Sequence, residues 1–575
     1  MIKKLLLLPL TLVLFLPVSS LYSQQSENIN THDLFKNSGE IYFAFDIGSP
    51  QELEVLTRII SISNVTGNQV FAYANRKEFQ EFVELGYSYR LLPHPGSLLT
   101  EDQLRPPGSG KGPSTMWNYY PSYQEYLDFM NGFAASYPDI CKVVPIGTSI
   151  QGRELIAVKI SDNVDEPEAE PEFFYTSSIH GDELTGYVLM LHLIDYLLSN
   201  YGTDARITNL VDNIEIYINP LANPDGTYWG GNNSVNQAKR YNANWVDLNR
   251  NYPDPEDGPH PDGNQWQTET VAFMAFADSN HFVMGANFHG GAEVFNYPWD
   301  TWSKLAADDT WWKFVGREYV DTVYLHSFGG YFSGFNNGIS NGYQWYTISG
   351  GRQDYMNYWH SDREVTLEIS DIKLIPASQL LNHWEYNYRS LLNYIEQASY
   401  GIQGIVTDSV TGQPLIAEIF IPGHDMDNSH VFTKLPSGYY SRLLWEGTYD
   451  VRFSAVGYFP KMIYNVNVSN WTTTNLDVKL VPLNVGSMEP GCKRAAMVYP
   501  NPSNGLIDLY LPEQGITDAE VECFNMNGKR LLLRHLNISD EASFVRLNMG
   551  NLAPGLYLVK LTTSNASYSD RIIIR

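Results

Sequence analysis

A central α/β domain, a small α/β module ahead of it and two all-β domains behind it are what this 575-residue sequence predicts. Three observations carry that reading. Apolar strand-like runs alternate with helical spacing from Tyr119 to about Tyr400. Residues 40 to 94 repeat the alternation in miniature. After residue 400 the texture changes to short alternating strands separated by Gly, Pro and Asn turns. The chain is also too long for one core, so several domains are expected.

The elements follow in order. Lys3 and Lys4, the apolar run Leu5 to Val18 and the small Ser19, Ser20 and Ser23 read as a secretory signal peptide over residues 1–23. The run is short and interrupted by Pro9 and Pro17, and no other stretch suits a membrane span, so none is expected in the mature chain. Cys141, Cys492 and Cys523 are too few and too scattered for a disulfide framework. Between 40 and 94, Glu40-Ile-Tyr-Phe-Ala-Phe and Gln69-Val-Phe-Ala-Tyr are strand-like. Helical spacing follows them over Glu52 to Ile60 and Arg76 to Leu85. The composition of Arg105-Pro-Pro-Gly-Ser-Gly-Lys-Gly-Pro113 is that of a flexible, cleavable linker. Residues 24–113 therefore read as a propeptide and linker, with a plain accessory domain as the alternative.

In the central domain, Phe173-Phe-Tyr-Thr-Ser-Ser runs into His180, and Val283 to Phe288 runs into His289. Glu215-Ile-Tyr-Ile-Asn and Val365-Thr-Leu-Glu-Ile are further strands, the second carrying Glu368. The chemistry-bearing residues thus sit at strand ends, where open α/β sheets place ligands. Behind them, Gly404-Ile-Val-Thr-Asp, Ala417-Glu-Ile-Phe-Ile, Tyr449-Asp-Val-Arg-Phe and Leu476-Asp-Val-Lys-Leu spell an all-β domain. A second β unit begins at Met497.

A formal net charge of −27 argues against nucleic acid and anionic membranes as partners and would gather cationic substrates. Taken alone, the charge is accounted for more simply by solubility outside a cell.

His180 and Glu183 lie three apart in a tight turn, and His289 is followed by Gly290 and Gly291, which allow close approach. Two imidazoles and a carboxylate form a three-ligand zinc set with a fourth position left open, the mark of a catalytic site. His192, on an apolar helix, reads as a packed residue instead. Arg240 and Arg250 lie in an Asn-rich loop, where a guanidinium could serve a surface ion pair or grip a carboxylate at two points. Glu364 and Glu368 fall on one strand face, so alternation does not choose between them.

Taken together, His180-Gly-Asp-Glu183, Asn223-Pro-Asp-Gly226, Asp247-Leu-Asn-Arg-Asn251, Asn287-Phe-His-Gly-Gly291, Gln353-Asp-Tyr-Met-Asn-Tyr358 and Glu364-Val-Thr-Leu-Glu368 resemble the zinc metallocarboxypeptidases. The resemblance is to their regulatory branch, the carboxypeptidase N, E, M and D group. It implies a mixed, twisted sheet flanked by helices over residues 114–400 and one Zn²⁺ per chain held by His180, Glu183 and His289. It implies further that Asn249 and Arg250 hold a peptide's terminal carboxylate, that Tyr358 closes over it and that Arg240 stabilises the oxyanion. Glu368 is then the general base, chosen over Glu364 by the resemblance alone. Asp300 on the pocket floor, with Gln353 beside it, implies a preference for terminal Lys or Arg. Two departures stand out: Asp182 where this branch commonly has Asn, and Trp245 where a small residue is common.

Residues 401–484 resemble the transthyretin-like domain of that branch. Residues 497–575, with Tyr499-Pro-Asn-Pro-Ser-Asn-Gly505, Met526-Asn-Gly-Lys-Arg530 and Leu552-Ala-Pro-Gly-Leu-Tyr, resemble the type IX secretion C-terminal sorting domain. A secreted or surface-attached monomer that trims peptide C-termini is therefore expected, with the type IX machinery as a partner. A zinc amidase of the same fold, acting on cell-wall peptides or acyl-amino acids, is the alternative enzyme. A catalytically silent surface binding protein is the alternative outside enzymes.

Overall fold

A computed structural model describes residues 34–110 apart from 37, residues 117–483 and most of 497–574. The signal-peptide segment, Cys492 and the end of the linker lie outside the described residues.

The N-terminal module contains β1 (Glu40–Asp46), β2 (Ser61–Thr66), β3 (Gln69–Asn75) and β4 (Tyr89–Leu92), in a sheet of order β2-β3-β1-β4. Phe43 and Phe45 pack on Phe79 and Phe82 of the helix Arg76–Glu84. The helix expected over Glu52 to Ile60 is only a 3-10 turn and one α-turn ending at Leu56. Beyond it the apolar period changes to two. Ile60 and Ile62 both enter the core, while Ser61 turns to the opposite side and opens β2. Both β2 and β4 escape a reading of the sequence that assigns this stretch two strands.

The central domain contains β5 (Cys141–Thr148), β6 (Glu154–Ile160), β7 (Glu172–Ser177), β8 (Glu215–Asn219), β9 (Phe282–His289), β10 (Ala292–Tyr297), β11 (Ile339–Asn341) and β12 (Arg363–Ser370). They form one eight-stranded sheet of order β11-β10-β12-β9-β7-β8-β6-β5. Its middle is parallel, through β8, β7, β9 and β12, and the flanking β6–β8 and β10–β12 pairs are antiparallel. The expected mixed sheet is therefore what forms.

Residues of β7, β9 and β12 are buried without a break, as in strands covered on both faces. Phe173 and Tyr175 enter one core with the helices Tyr123–Ser136, Thr185–Asn200, Asp309–His326 and Leu380–Gln397. Phe174 faces the other way, into a smaller core with Phe273, Phe276 and Tyr355. His192 is stacked on Trp384 with ring centroids 3.8 Å apart, and burial pushes its pKa down to about 4. It is a packed neutral ring.

Behind the central domain, β13 (Gly401–Asp408) pairs with β16 (Tyr439–Arg442), β19 (Thr473–Asn475) and β20 (Val478–Leu480). This sheet shares one core with a second sheet of β14 (Glu418–Phe420), β15 (Val431–Phe432), β17 (Gly447–Ser454) and β18 (Lys461–Val468). Buried Arg442 ties this unit to the central domain by reaching Asp308, which also pairs with Arg363. Among the described residues of the last unit, a three-stranded and a four-stranded antiparallel sheet close on a core of Val521, Val559, Leu561 and Ile572.

Candidate active site

The C-terminal ends of β7, β9 and β12 converge. β7 leads into the turn holding His180 and Glu183, β9 ends at His289, and Glu368 pairs in register with His289. His180 Nδ1 and His289 Nδ1 lie 3.0 Å apart, and each is within 3.0 Å of Glu183 Oε2. All three residues are buried.

Two lone-pair nitrogens and a carboxylate oxygen facing one point call for a cation. Tetrahedral donors about 2.0–2.1 Å from zinc stand about 3.3 Å apart, close to the observed triangle. The surroundings agree with that reading. Asp247 Oδ1 stands 3.1 Å from His180 Nε2, the partner that fixes a metal-bound imidazole with Nδ1 free for the metal. The Asn287 amide lies 2.9 Å from His289 Nε2, and its Oδ1 is otherwise without a partner. Turned over, the amide accepts the proton that Nε2 carries when Nδ1 faces a metal. The donor set and its supports therefore fit zinc.

Burial and nearby charge set the states of Glu183 and His289. Burial alone would raise the Glu183 pKa, but His180 and the Lys373 ammonium hold it well below the usual carboxylate range. Burial keeps His289 neutral, with its pKa down at about 4.

Arg240, Asn249, Arg250 and Glu368 line the same cavity as the trio. The Arg240 guanidinium donates to Glu183 Oε1 at 3.0 Å and to Asp247 Oδ2 at 3.2 Å, and points at the trio. Among the described residues, Arg250 Nε has no partner, and Glu368 Oε2 has none either. Burial and the nearby Glu183 charge push the Glu368 pKa well above the usual carboxylate range. Glu364, by contrast, accepts on both oxygens from Arg352 at 2.9–3.1 Å. The structure thus separates two carboxylates that alternation leaves equivalent.

Tyr358 is not in this cavity. It lies near the end of the helix Arg352–Trp359 and packs against Trp299 and Trp302. The buried tyrosine lining the cavity is Tyr346, from Gly342-Tyr-Gln-Trp-Tyr346. Tyr355 and Tyr358, so near in sequence to Gln353, obscure it; its position just ahead of Ser349-Gly-Gly351 is the available signal. Asp300 lies behind the cavity wall. Its Oδ1 accepts from Asn296 Nδ2 and Gln353 Nε2, both at 3.1 Å, and Asn296 lines the cavity. Any Cβ on Gly342 would overlap Asp300 Oδ1, so only glycine leaves that carboxylate clear. Burial raises the Asp300 pKa to about 6.

The N-terminal module covers all of this. Ser61 Oγ accepts from Arg240 Nε at 2.8 Å and donates to Asp247, while Ile62 O accepts from Arg250 Nη2 at 2.9 Å. Ser63 lines the cavity, and Asn64 Nδ2 donates to Gly291 O at 3.0 Å. Glu40 accepts the backbone N–H groups of Arg240 and Tyr241, and Tyr73 OH donates to Asp182 Oδ2 at 2.7 Å. Asp182 thus serves this contact. Trp245, the other departure, fills the space beside Gly39. The remaining room, about 10 Å³ for the centre of a water, holds about one water and no peptide.

Glu78 sits on the same seam, where its carboxylate accepts from Asn75 N and Tyr241 OH at 2.8 Å. Burial pushes its pKa up to about 8 from 4.5, with Asp247 and Asp262 adding to the shift. The folded chain then keeps a proton that the unfolded chain has released, so stability falls as pH rises from about 4.5 to about 8. Glu78→Gln is expected to melt above the wild type at pH 9 and with it at pH 4. Equal gaps at both values, by scanning calorimetry, would refute this sign.

A three-ligand metal set at the mouth of a mixed α/β sheet, beside an unpaired carboxylate and two arginines, defines a metallohydrolase type of site. Likeness to known proteins gives the family. Residues 126–390 match the family described as Zinc carboxypeptidase. Carboxypeptidase N catalytic chain of Homo sapiens is 35% identical over 385 residues, covering 60% of this chain and 82% of that one. Carboxypeptidase M of Mus musculus is 34% identical over 356 residues, covering 58% and 78%. This chain therefore belongs to the zinc carboxypeptidase family.

Carboxypeptidase D of Mus musculus is 36% identical over 382 residues, covering 61% of this chain, but the match spans only 26% of its own length. Among solved structures, the carboxypeptidase A from Helicoverpa armigera shares the fold at a TM-score of 0.50 and 19% identity, over 63% of this chain and 97% of that one. Residues 497–575 match the Secretion system C-terminal sorting domain, which marks the chain for type IX export. No helix among the described residues is long and apolar enough to cross a membrane.

Proposed function

We propose that this chain is a secreted zinc-dependent carboxypeptidase that releases C-terminal Lys or Arg, with residues 24–113 as its inhibitory propeptide. The observation that carries the reading is the convergence of Arg240, Asn249, Arg250 and Glu368 on one cavity with the His180, Glu183 and His289 set.

His180, Glu183 and His289 would hold the zinc, which would supply Lewis acidity and a water whose pKa is lowered to about 7. The protein groups do the rest. Arg250, whose Nε is free, presents a fork to the terminal carboxylate, with the Asn249 side chain beside it. Tyr346, not Tyr358, closes over that end. Arg240 meets the negative charge that develops on the scissile carbonyl oxygen. Glu368, unpaired and with a raised pKa, takes a proton from the attacking water and returns it to the leaving amine.

Asp300 supports the basic preference. A desolvated carboxylate with only neutral donors, Asn296 and Gln353, on its Oδ1 gains most from a cationic side chain. Peptides alike except for terminal Arg, Lys, Phe or Asp test this in the wild type and in Asp300→Ala. The wild type is expected to prefer Arg and Lys by about 100-fold, and Asp300→Ala to lose most of that preference. A wild-type preference for Phe, or an unchanged profile in the variant, would remove the pocket assignment.

A further inference from the structure

Beside the catalytic cavity lies a much larger basin of about 790 Å³. Its floor is Gly291 to Glu293 at the start of β10, and the β2–β3 turn, Asn64 to Gly67, forms one wall that would leave with the N-terminal module, while the rest of the lining belongs to the central domain. Phe328, Tyr331, Phe335, Trp345 and Tyr386 supply aromatic surface, with Phe328 83% exposed. Two carboxylates, Glu293 and Asp371, belong to the lining, and no lysine or arginine does. Burial and the Asp371 charge raise the Glu293 pKa, and burial keeps His383 in the lining neutral. The basin is therefore acidic and aromatic, and none of its own residues supplies a full positive charge.

The basin and the cavity are joined. Trp345 lines both, and β2 passes from one to the other. Ile62 O sits on Arg250, Ser63 in the cavity, Asn64 on Gly291, and Val65 to Gly67 in the basin. An extended chain advances about 3.3 Å per residue. A substrate with its carboxylate where Ile62 O now lies would therefore reach the basin with the third and fourth residues before the scissile bond. It would run opposite to β2, because its free C-terminus points inward.

We propose that this basin is a subsite for the upstream part of the peptide substrate, selecting a cationic side chain at the third or fourth residue before the scissile bond. The direction of the chain rests on the exopeptidase reading; the chemistry of the basin does not. Glu293 and Asp371 attract the cation and the aromatic faces hold it from the sides.

Pentapeptides with a common terminal pair and Arg, Ala or Glu at those upstream positions provide the test, each rate taken relative to a blocked dipeptide in the same protein after cleavage in the linker and dilution. Wild-type kcat/KM is expected to favour Arg over Glu by about tenfold, and the ratio to fall to about one in Glu293→Gln/Asp371→Asn. Glutamine keeps the acceptor for Phe332 N–H, now 2.9 Å from Glu293 Oε2. C-terminal hydrolysis without that preference, or a preference that survives the double variant, overturns the subsite.

If the chain, cut in the linker and diluted, trims no peptide at all, the exopeptidase reading falls, and the basin is judged by binding alone. Calorimetric titration of the full chain with N-acetyl-Arg-Gly-amide, which lacks a terminal carboxylate, is then expected to show binding. The Glu counterpart should show none, and the double variant should lose the Arg signal. Absence of binding overturns the proposal, as does binding of both peptides alike.

Discussion

Replacing Glu368 by glutamine is expected to lower turnover by about 10³–10⁴-fold while zinc content stays at one per chain. Glutamine fills the same volume, and among the described residues Glu368 Oε2 makes no hydrogen bond that the amide would break. The loss should fall on kcat if Glu368 has the role proposed for it, moving a proton without gripping the substrate. Glu364→Gln offers the contrast. That carboxylate is paired to Arg352 in a buried fork, so removing its charge strands a guanidinium at a cost of about 3–5 kcal/mol. Its variant should lose melting temperature first and activity only with the fold. Metal analysis, calorimetry and steady-state rates on the two variants distinguish the roles. Full activity in Glu368→Gln would remove it as the base, and the reverse pattern would exchange the two.

These two glutamates also show where the sequence is legible. Strand ends deliver the metal set, because β7, β9 and β12 read as buried apolar runs stopping at polar residues. Alternation places Glu364 and Glu368 on one face but says nothing of Arg352, which the helix Arg352–Trp359 folds back onto Glu364. Which carboxylate is paired is a tertiary fact. Tyr346 is hidden for the same reason: four tyrosines follow Gly342 within sixteen residues, and only packing shows which one faces the cavity. The blocking strand β2 is hard to see because Ile59, Ile60 and Ile62 continue an apolar run that also suits a helix. Its polar residues Ser61 and Asn64 make sense only against Arg240, Asp247 and Gly291, which lie some 180–230 residues away.

Cleavage after Lys111, in the linker, is expected to release activity, but only on dilution. The covering module is held at the site by Ser61, Ile62, Asn64, Tyr73 and two bonds to Glu40. At about 1 kcal/mol for each of these six bonds, opening costs roughly 6 kcal/mol, an open fraction on the order of 10⁻⁴–10⁻⁵. The uncut chain should therefore show at most about 1% of full activity at any concentration. Cutting the tether removes an effective concentration on the order of 1 mM, so the freed module should bind with a Kd on the order of 10–100 nM. Cut protein is then expected to stay inhibited at about 10 μM and to be active at about 1 nM. Glu40→Ala, which leaves the N–H groups of Arg240 and Tyr241 unanswered, should shift that release to higher concentration. Rates measured across this range, with uncut chain as control, separate an inhibitor from a passive neighbour. An uncut chain as active as the cut one would mean that the module does not inhibit, and would leave it an accessory domain.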